Sequence, residues 1–401
     1  MMKPRIYALL LALMMISGIP AAARAKEEVT VPMLQFTKKA LPDLESYRFA
    51  EGLGAGWNLG NTFDAHDAGH VRYELDYETA WSGVKTEAGV FKALKEAGFG
   101  LVRIPVSWHN HVSGENFIIS AAWLARVRQV VDEALDAGLH VILNIHHDNI
   151  KGFIYPDNEH LEGSMRYLAA IWRQLGEAFR DYDERLIMES MNEPRLSGTS
   201  LEWWLDPGDP RSLEAVLAIN ALNQLFVDTV RSSGGYNTQR YLMVPGYAAS
   251  VDGCMHEAFA MPQDAKDVKD RLLLSVHAYT PYDFALQSPK ESGSRDTFEA
   301  DNPMDINAIA AFMDRVYEKF TALGVPVIIG EFGCRDKNGN TQSRVDFTAA
   351  YVALARSRGI TCVWWDNAAF EGEGELFGLL DRRTFRFVYP QILQAIIDHA
   401  N

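Results

Sequence analysis

The chain has 401 residues, 48% of them hydrophobic and 23% charged, which is too apolar for a disordered protein and long enough for one large domain or two ordinary ones. Its 38 Lys and Arg stand against 53 Asp and Glu, so the formal charge is −15. This acidity disfavours nucleic acids, anionic membranes and polyanionic substrates, because binding of phosphate groups needs a basic surface.

The N-terminus has the pattern of a secretory signal peptide. Lys3 and Arg5 precede an apolar run over residues 6–19, and Ala23 and Ala25 provide small residues two positions apart. The run of 14 residues is shorter than the roughly 20 that span a bilayer, which argues against a transmembrane anchor. We therefore expect cleavage after Ala25 and an exported protein, periplasmic or extracellular, that does not contact a membrane afterwards.

From residue 50 onward, short apolar runs rich in β-branched residues alternate with longer helical patterns. Continuous apolar runs predict strands that are buried on both faces, as in a parallel sheet. Eight such runs are present: Gly56–Gly60, Phe99–Pro105, Leu139–Ile145, Arg185–Met191, Arg240–Pro245, Leu272–His277, Val325–Gly330 and Ile360–Trp365.

Between these runs, the clearest helices are predicted over residues 86–97, 120–137, 305–323 and 343–358, with Thr86, Ser120 and Asp305 as their first residues. A glycine follows each helix one or two residues before the next strand, which suits a short connection.

Eight strand–helix repeats in about 350 residues predict an α/β protein with a (β/α)8 TIM barrel, a single domain with long loops at the C-terminal face of the strands. A doubly wound sheet is the alternative, but it usually has fewer strands, and no Gly-x-Gly-x-x-Gly follows the first run. The expected organisation is a signal peptide over residues 1–25, a polar leader over 26–45 that includes a capping helix across the barrel bottom, and a catalytic domain over 46–401.

Polar residues occur at the predicted strand ends, where the active sites of such barrels lie. Five strand ends place an ionisable side chain at or next to an apolar run. Any one of them alone would more often be a structural polar residue, but five at one rim indicate an active site. Prominent among them are Arg103, His146, Glu193, His277 and Glu331.

Glu193 and Glu331 are expected to face each other across the barrel mouth. With a neutral substrate and no cofactor motif, two carboxyl groups favour the cleavage of an acetal: one donates a proton to the leaving oxygen and the other attacks the anomeric carbon. Arg103 and Tyr279 would stabilise the ionised carboxylate, and Asn192 would bind the 2-hydroxyl of the sugar. The ionised neighbour is expected to raise the pKa of the acid.

Two other kinds of site were weighed. The cluster His146-His147-Asp148 with His277 could bind a divalent metal ion, but such barrels also need ligands at the first strand, which reads Trp57-Asn58-Leu59. We therefore expect no metal and no cofactor. A barrel that binds glycan without cutting it is the alternative of a different class, and the presence of both glutamates argues against it.

The ordered set of motifs resembles glycoside hydrolase family 5, the cellulase-type retaining endoglycanases. The motifs are Gly56–Asn61, Leu101–Pro105, Asn144–Asp148, Asn192-Glu193-Pro194, His277-Ala278-Tyr279, Gly330–Gly333 and Trp364-Trp365.

The resemblance implies a (β/α)8 barrel, a double-displacement reaction, Glu193 as acid/base and Glu331 as nucleophile. It gives supporting positions to Arg103, His146, Asn192, His277, Tyr279 and Trp364, with the choice between His146 and the adjacent His147 left open. Asn61, Trp81 and Trp204 are further candidates for substrate binding, and Trp364 is expected to stack on a sugar.

The sequence around Trp81 and Glu202-Trp203-Trp204 resembles the broad-specificity branch of endoglucanases, xyloglucanases and mixed-linkage glucanases. The expected partner is a β-glucan polysaccharide, bound by a monomer. A β-mannanase, which shares this architecture and catalytic pair, is the alternative activity.

Overall fold

The computed structural model describes residues 28–400, and eight parallel strands form a closed barrel at its centre. Each strand pairs with the next one along the chain, and the last pairs with the first, so the predicted (β/α)8 architecture is confirmed. The strands are β1 (Ala55–Leu59), β2 (Phe99–Ile104), β3 (His140–Asn144), β4 (Leu186–Glu189), β5 (Leu242–Pro245), β6 (Leu272–His277), β7 (Val327–Phe332) and β8 (Thr361–Asp366).

Helices surround this barrel and bury its outer face. All eight strands lie within the predicted runs or extend them by one or two residues, because apolar side chains on both faces of a strand can be buried only inside such a shell. The helices are α1 (Glu45–Gly52), α2 (Ala88–Glu96), α3 (Ala121–Asp136), α4 (Leu161–Ala178), α5 (Pro210–Ser232), α6 (Val251–Met255), α7 (Tyr282–Ala285), α8 (Pro303–Lys319), α9 (Thr341–Arg356) and α10 (Pro390–Ala400).

Three helix starts differ from the prediction, and α9 begins at Thr341 instead of residue 343. The residue that precedes α2 is Glu87, and Thr86 instead donates its backbone N–H to Glu78 at 2.8 Å. The residue that precedes α8 is Asn302, whose side chain accepts from the backbone N–H of Met304 at 3.0 Å, with proline at the first helical position. Asp305 lies inside the first turn of α8.

The N-terminal end of the barrel is closed by α1. Phe49 of this helix stacks on Tyr241 with ring centroids 3.7 Å apart and packs on the apolar side chains that fill the barrel bottom. The helix that caps the barrel bottom is thus α1, which begins at Glu45, and residues 28–44, where it was expected, contain no helix. The predicted signal peptide and its cleavage site after Ala25 lie outside the described residues.

Helix α5 is long and apolar enough, by composition, to cross a membrane, and it is the one such helix between residues 28 and 400. Half of its most apolar window is buried within the protein, where α5 packs beside α4. Side chains such as Leu222 and Phe226 are fully buried there. This helix therefore belongs to the shell of the barrel.

Strand pairing brings polar residues together at the C-terminal rim. Asn58 on β1 is in register with Arg103 on β2, and His277 on β6 is in register with Glu331 on β7. Because side chains alternate between the two faces of a strand, residues in register point to the same side of the barrel wall. The polar groups thus meet inside the mouth.

Candidate active site

Arg103, near the end of β2, is the centre of the buried hydrogen-bond network in the barrel mouth. Its Nε donates to Glu189 on β4 at 2.7 Å, and its Nη1 donates to Glu331 at 2.9 Å and to Asn58 at 3.1 Å. Its Nη2 donates to Asn192 at 2.7 Å. The guanidinium is fully buried, so the two carboxylates balance a charge that would otherwise be costly to remove from water.

Glu331 on β7 receives one donor on each carboxylate oxygen. Oε1 accepts from Arg103, and Oε2 accepts from the hydroxyl of Tyr279 at 3.1 Å. Tyr279 lies two residues beyond the end of β6, the strand next to β7. Both donors favour the ionised carboxylate and fix its orientation.

Glu193 follows β4 and faces Glu331 across the mouth. His277 Nδ1 donates to Glu193 Oε1 at 2.8 Å, and the Arg195 guanidinium lies 3.4 Å from Glu193 Oε2. One oxygen of Glu193, one oxygen of Glu331 and one nitrogen of His277 all lie within 4.8 Å of one another. This closest approach agrees with the separation of about 5–5.5 Å between the carboxyl groups of retaining glycosidases.

Glu193, His277 and Glu331 influence one another's protonation. Burial raises the pKa of Glu331, and His277 and Arg103 offset this effect only in part. Burial acts in the same direction on Glu193, but the hydrogen bond and charge of His277, with the charge of Arg195, lower the pKa of Glu193. Burial opposes a charge on His277, yet the two carboxylates raise its pKa.

The expectation that Glu193 carries the raised pKa is therefore not met in the free site. The physical reason is His277, which donates directly to Glu193 and lies 3.7 Å from Glu331. The three groups titrate as one unit, so protons move between them when a ligand changes their surroundings.

His146 and His147 follow β3 and have different neighbours. His146 is buried, and its Nε2 lies 4.0 Å from Glu331 Oε1. The His147 ring lies 4.9 Å from that of His66 and 5.7 Å from that of Trp81, on the wall of the mouth. Burial lowers the pKa of both histidines, that of His147 to about 3, so both rings are neutral at neutral pH.

The four residues of the alternative metal site do not come together, and His146 and His147 instead lie near Asp64, with one ligand atom of each within 4.8 Å of the other two. Asp148 accepts from the backbone N–H of Trp108 at 3.0 and 3.1 Å and from the hydroxyl of Tyr167. His277 is engaged with Glu193. Asp148 and His277 thus serve different networks.

Trp364 does not line the mouth, and the stacking role predicted for it is wrong. It is 0% exposed, packs edge-on against Phe332 and donates its Nε1–H to the carbonyl of Phe377 at 3.2 Å. Its neighbour Trp365 is in register with Asn58 inside the barrel, and its ring lies parallel to that of His146 at 5.9 Å. Adjacent strand residues face opposite sides, so the aromatic surface at the mouth is Trp365.

Gly60 lets the Trp365 ring reach this position. A Cβ on Gly60 would lie 2.9 Å from two ring carbons of Trp365 and from the carbonyl oxygen of Asp366. Such contacts are too short for any side chain. The packing of Trp365 therefore requires glycine at position 60 of the motif Gly56–Asn61.

The remaining predicted binding residues lie on loops at the rim. Trp81 is 40% exposed and Trp204 is 69% exposed, as expected of aromatic side chains that meet a ligand. Trp203, also exposed, lies under the Arg195 guanidinium at 4.0 Å. Asn61 is half-buried in the loop after β1, and its backbone N–H donates to Asp64 at 3.0 Å.

Sequence reasoning missed Glu189, Trp365 and Arg195 as parts of the site. Glu189 accepts from Arg103, from Asn144 at 3.0 Å and from Ser275 at 2.6 Å, so it anchors the buried end of the hydrogen-bond network. A glutamate inside an otherwise apolar run was the signal, because a carboxylate buried in a strand needs a partner.

A (β/α)8 barrel whose mouth holds two close carboxyl groups, one fixed by an arginine and a tyrosine, defines a class of protein: the glycoside hydrolases that work through a carboxylate pair. The model of the cellulase family, glycosyl hydrolase family 5, matches residues 66–371. The chain therefore belongs to glycoside hydrolase family 5 and is a glycoside hydrolase.

Similar proteins agree with this family. Endoglucanase 1 of Ruminococcus albus is 37% identical over 95% of this chain and 88% of its own length. The structure of a family 5 lichenase from Caldicellulosiruptor sp. F32 is 51% identical, with a TM-score of 0.92 over 93% of this chain and all of the lichenase chain. A broad-specificity endoglucanase from Ruminococcus champanellensis with bound cellotriose is 39% identical, with a TM-score of 0.80 over 90% of this chain and all of that chain.

Proposed function

We propose that this enzyme cleaves β-1,4-glucan backbones at internal bonds, in cellulose-type, mixed-linkage or xyloglucan chains, by double displacement with retention of configuration. The observation that carries the proposal is the close approach of Glu193 and Glu331, whose oxygens lie within 4.8 Å of each other. The relatives that are endoglucanases and a lichenase support the glucan backbone.

In the first step, a carboxylate oxygen of Glu331 attacks the anomeric carbon while the bond to the leaving oxygen breaks. Glu193 gives its proton to that oxygen. Arg103 and Tyr279 hold the Glu331 carboxylate ionised and aimed. The Asn192 oxygen is occupied by Arg103, so its amide N–H groups remain for the sugar 2-hydroxyl.

In the second step, Glu193 takes a proton from water, and the resulting hydroxide displaces Glu331 from the anomeric carbon. His277 lies between the two glutamates and is placed to exchange a proton with Glu193 as its charge changes. The ring of Trp365 provides an apolar surface beside this centre.

The two glutamates are distinguished by an aryl cellobioside with a good leaving group. Glu331→Ala cannot form the glycosyl intermediate and should be inactive with or without azide. Glu193→Ala should still form the intermediate, because an aryl group of low pKa needs no proton, and azide should restore turnover and yield the β-glycosyl azide. Rescue of Glu331→Ala to the β-azide, or full activity of Glu193→Ala, would contradict the assignment.

The backbone preference is tested with carboxymethyl cellulose, barley β-glucan, xyloglucan, glucomannan and mannan. We expect rapid release of reducing ends from the glucans and slow release from mannan. Faster cleavage of mannan would support the alternative β-mannanase, and binding without cleavage would support a non-catalytic barrel.

We also propose that the protein is exported, to the periplasm or beyond the cell. The support is the pattern of residues 1–25, followed by a leader over 26–45 and a catalytic domain over 46–401. N-terminal sequencing of the exported protein should begin at Lys26, and a sequence that begins at Met1 would overturn cleavage.

A further inference from the structure

Three side chains that can bind metal meet at the rim, in loops that play no part in the glycosidase chemistry above. His66 and Asp67 belong to the loop after β1, and His109 belongs to the loop after β2. One ligand atom of each lies within 4.8 Å of the other two. His66 Nδ1 is 3.1 Å from Asp67 Oδ2, and His109 Nε2 is 3.6 Å from the same oxygen.

His109 gives the second, independent indication of a ligand. The residue is only 6% exposed, yet neither ring nitrogen makes a hydrogen bond. Leaving buried polar atoms unpaired is unfavourable, so such groups usually have a partner. The Nε2 atom points toward Asp67 and His66, which makes a bound cation the natural partner.

The surroundings orient these ligands as metal sites require. His109 Nδ1 faces the buried carboxylate of Asp148 at 3.7 Å, longer than a hydrogen bond, so a small shift of the ring would let this carboxylate hold the far nitrogen of a metal-bound histidine. Asp67 Oδ1 accepts from Asn110 Nδ2 at 3.0 Å, which leaves Oδ2 directed at the two histidines. His66 Nδ1 and Asp67 Oδ2 hydrogen-bond to each other at 3.1 Å, a contact that a shared ion would replace.

The spacing and chemistry of the cluster fit a tetrahedral ion. Bonds of about 2.0–2.2 Å place neighbouring ligand atoms about 3.3–3.6 Å apart in a tetrahedron. Two of the pairs lie at 3.1 and 3.6 Å. The third pair is His66 and His109, and the His66 side chain, which is 29% exposed, can rotate to bring its nitrogen into range of the ion. Two imidazoles and one carboxylate suit zinc, whereas calcium and magnesium prefer oxygen ligands.

We propose that His66, Asp67 and His109 bind one divalent transition-metal ion of the zinc type, with water as the fourth ligand. The ion joins the loops that follow β1 and β2. The His66 ring lies 5.2 Å from Trp81 and 4.9 Å from His147, so the same ion stiffens this wall of the substrate cleft.

The test is a calorimetric titration with Zn²⁺ of the full chain after treatment with a chelator, together with melting curves at several zinc concentrations. The site variants are His66→Ala and Asp67→Asn, which change partly exposed side chains. His160→Ala and Glu331→Gln are the controls, because each disrupts a different group of possible ligands elsewhere in the protein. His160 also pairs with an aspartate, Asp157, at 2.7 Å, and Glu331 belongs to the group with Glu193 and His277.

We expect one zinc ion per chain and a melting temperature that rises with zinc concentration. Each site variant should weaken binding at least about tenfold and abolish the rise, since even the loss of an outer-shell partner costs about that much. Both controls should bind as the unaltered protein does. No binding, binding that survives in both site variants, or binding lost in Glu331→Gln would overturn the proposal and leave His109 as an ion-pair partner of two aspartates.

Discussion

Arg103 shows how one buried side chain sets the chemistry of its neighbours. It contacts Glu189 and Glu331 in the same interior, so its charge is shared between a structural carboxylate and the proposed nucleophile. Removal of one partner of a buried ion pair leaves an uncompensated charge and costs about 3–5 kcal/mol. Substitutions of Glu189 should therefore impair folding as well as activity.

The effect of Arg195 on the pKa of Glu193 can be measured separately from effects on Glu331. Its guanidinium lies 3.4 Å from Glu193 Oε2 and stacks on Trp203 at 4.0 Å. The charge of Arg195 lowers the pKa of Glu193 but is not among the principal influences on Glu331. It therefore acts on the proton donor through position and charge.

We predict that Arg195→Met shifts the basic limb of the kcat profile, which reports the enzyme–substrate complex, to higher pH and leaves the acidic limb in place. Without the cation, Glu193 keeps its proton to a higher pH, and the reaction needs that proton. Pre-steady-state or steady-state rates on β-glucan across the pH range measure both limbs.

Arg195→Lys is the control, since it keeps the charge and should keep the profile. In the same profile the acidic limb should belong to Glu331, which must be ionised to attack the anomeric carbon. A shift of the acidic limb in Arg195→Met would show that Arg195 acts on the nucleophile instead.

At the scale of elements, strand β8 separates two adjacent tryptophans into different roles. Trp364 packs into the core with Phe332, and Trp365 faces the mouth beside His146. The pleat of the strand is the cause, because it sends successive side chains to opposite faces. Two tryptophans that are adjacent in the sequence therefore face opposite sides of the barrel wall.

We predict that Trp365→Ala lowers kcat/KM on β-glucan at least about fivefold, since aromatic stacking contributes roughly 1 kcal/mol. Its side chain is only 8% exposed, so this variant also loses stability, as does Trp364→Ala, which should lower the free energy of unfolding by about 3–5 kcal/mol. Guanidinium unfolding curves give the loss of stability, and kcat/KM measured well below the unfolding transition gives the effect on the reaction. A kcat/KM of folded Trp365→Ala equal to that of the unaltered enzyme would contradict the stacking role.

For the whole molecule, the barrel core stabilises the fold without covalent links. Cys254, Cys334 and Cys362 are all free and buried. Burial raises the pKa of each thiol, that of Cys254 and Cys334 to about 12. Since the thiolate is the reactive form, these groups should be inert in the native protein.

We predict that a thiol reagent labels almost none of the three cysteines in the folded enzyme and all three after unfolding in guanidinium. The melting temperature should not depend on a reducing agent, even though we propose an oxidising destination for the protein. Rapid labelling of a native cysteine, or a lower melting temperature in reductant, would indicate an exposed thiol or a disulfide.

The amino-acid sequence determined the eight strands, their helical connections and the rim at which the polar residues gather. These features depend on local periodicity and on the position of a residue along a strand. The two glutamates, Arg103, His277 and Tyr279 were all found in this way. The contacts of Arg103 and Tyr279 with Glu331 match the expected partners.

Only the tertiary structure decided which side chain of a neighbouring pair faces the site and which distant loops meet. An error of one residue along β8 assigns the mouth to Trp364 instead of Trp365, because successive side chains of a strand point to opposite faces. The approach of His66 to His109 depends on the pairing of β1 with β2, and the contacts of Glu189 with Arg103 and of His277 with Glu193 reach across the closed barrel. Residues far apart in the chain meet only when the last strand pairs with the first, and no local pattern encodes those distances.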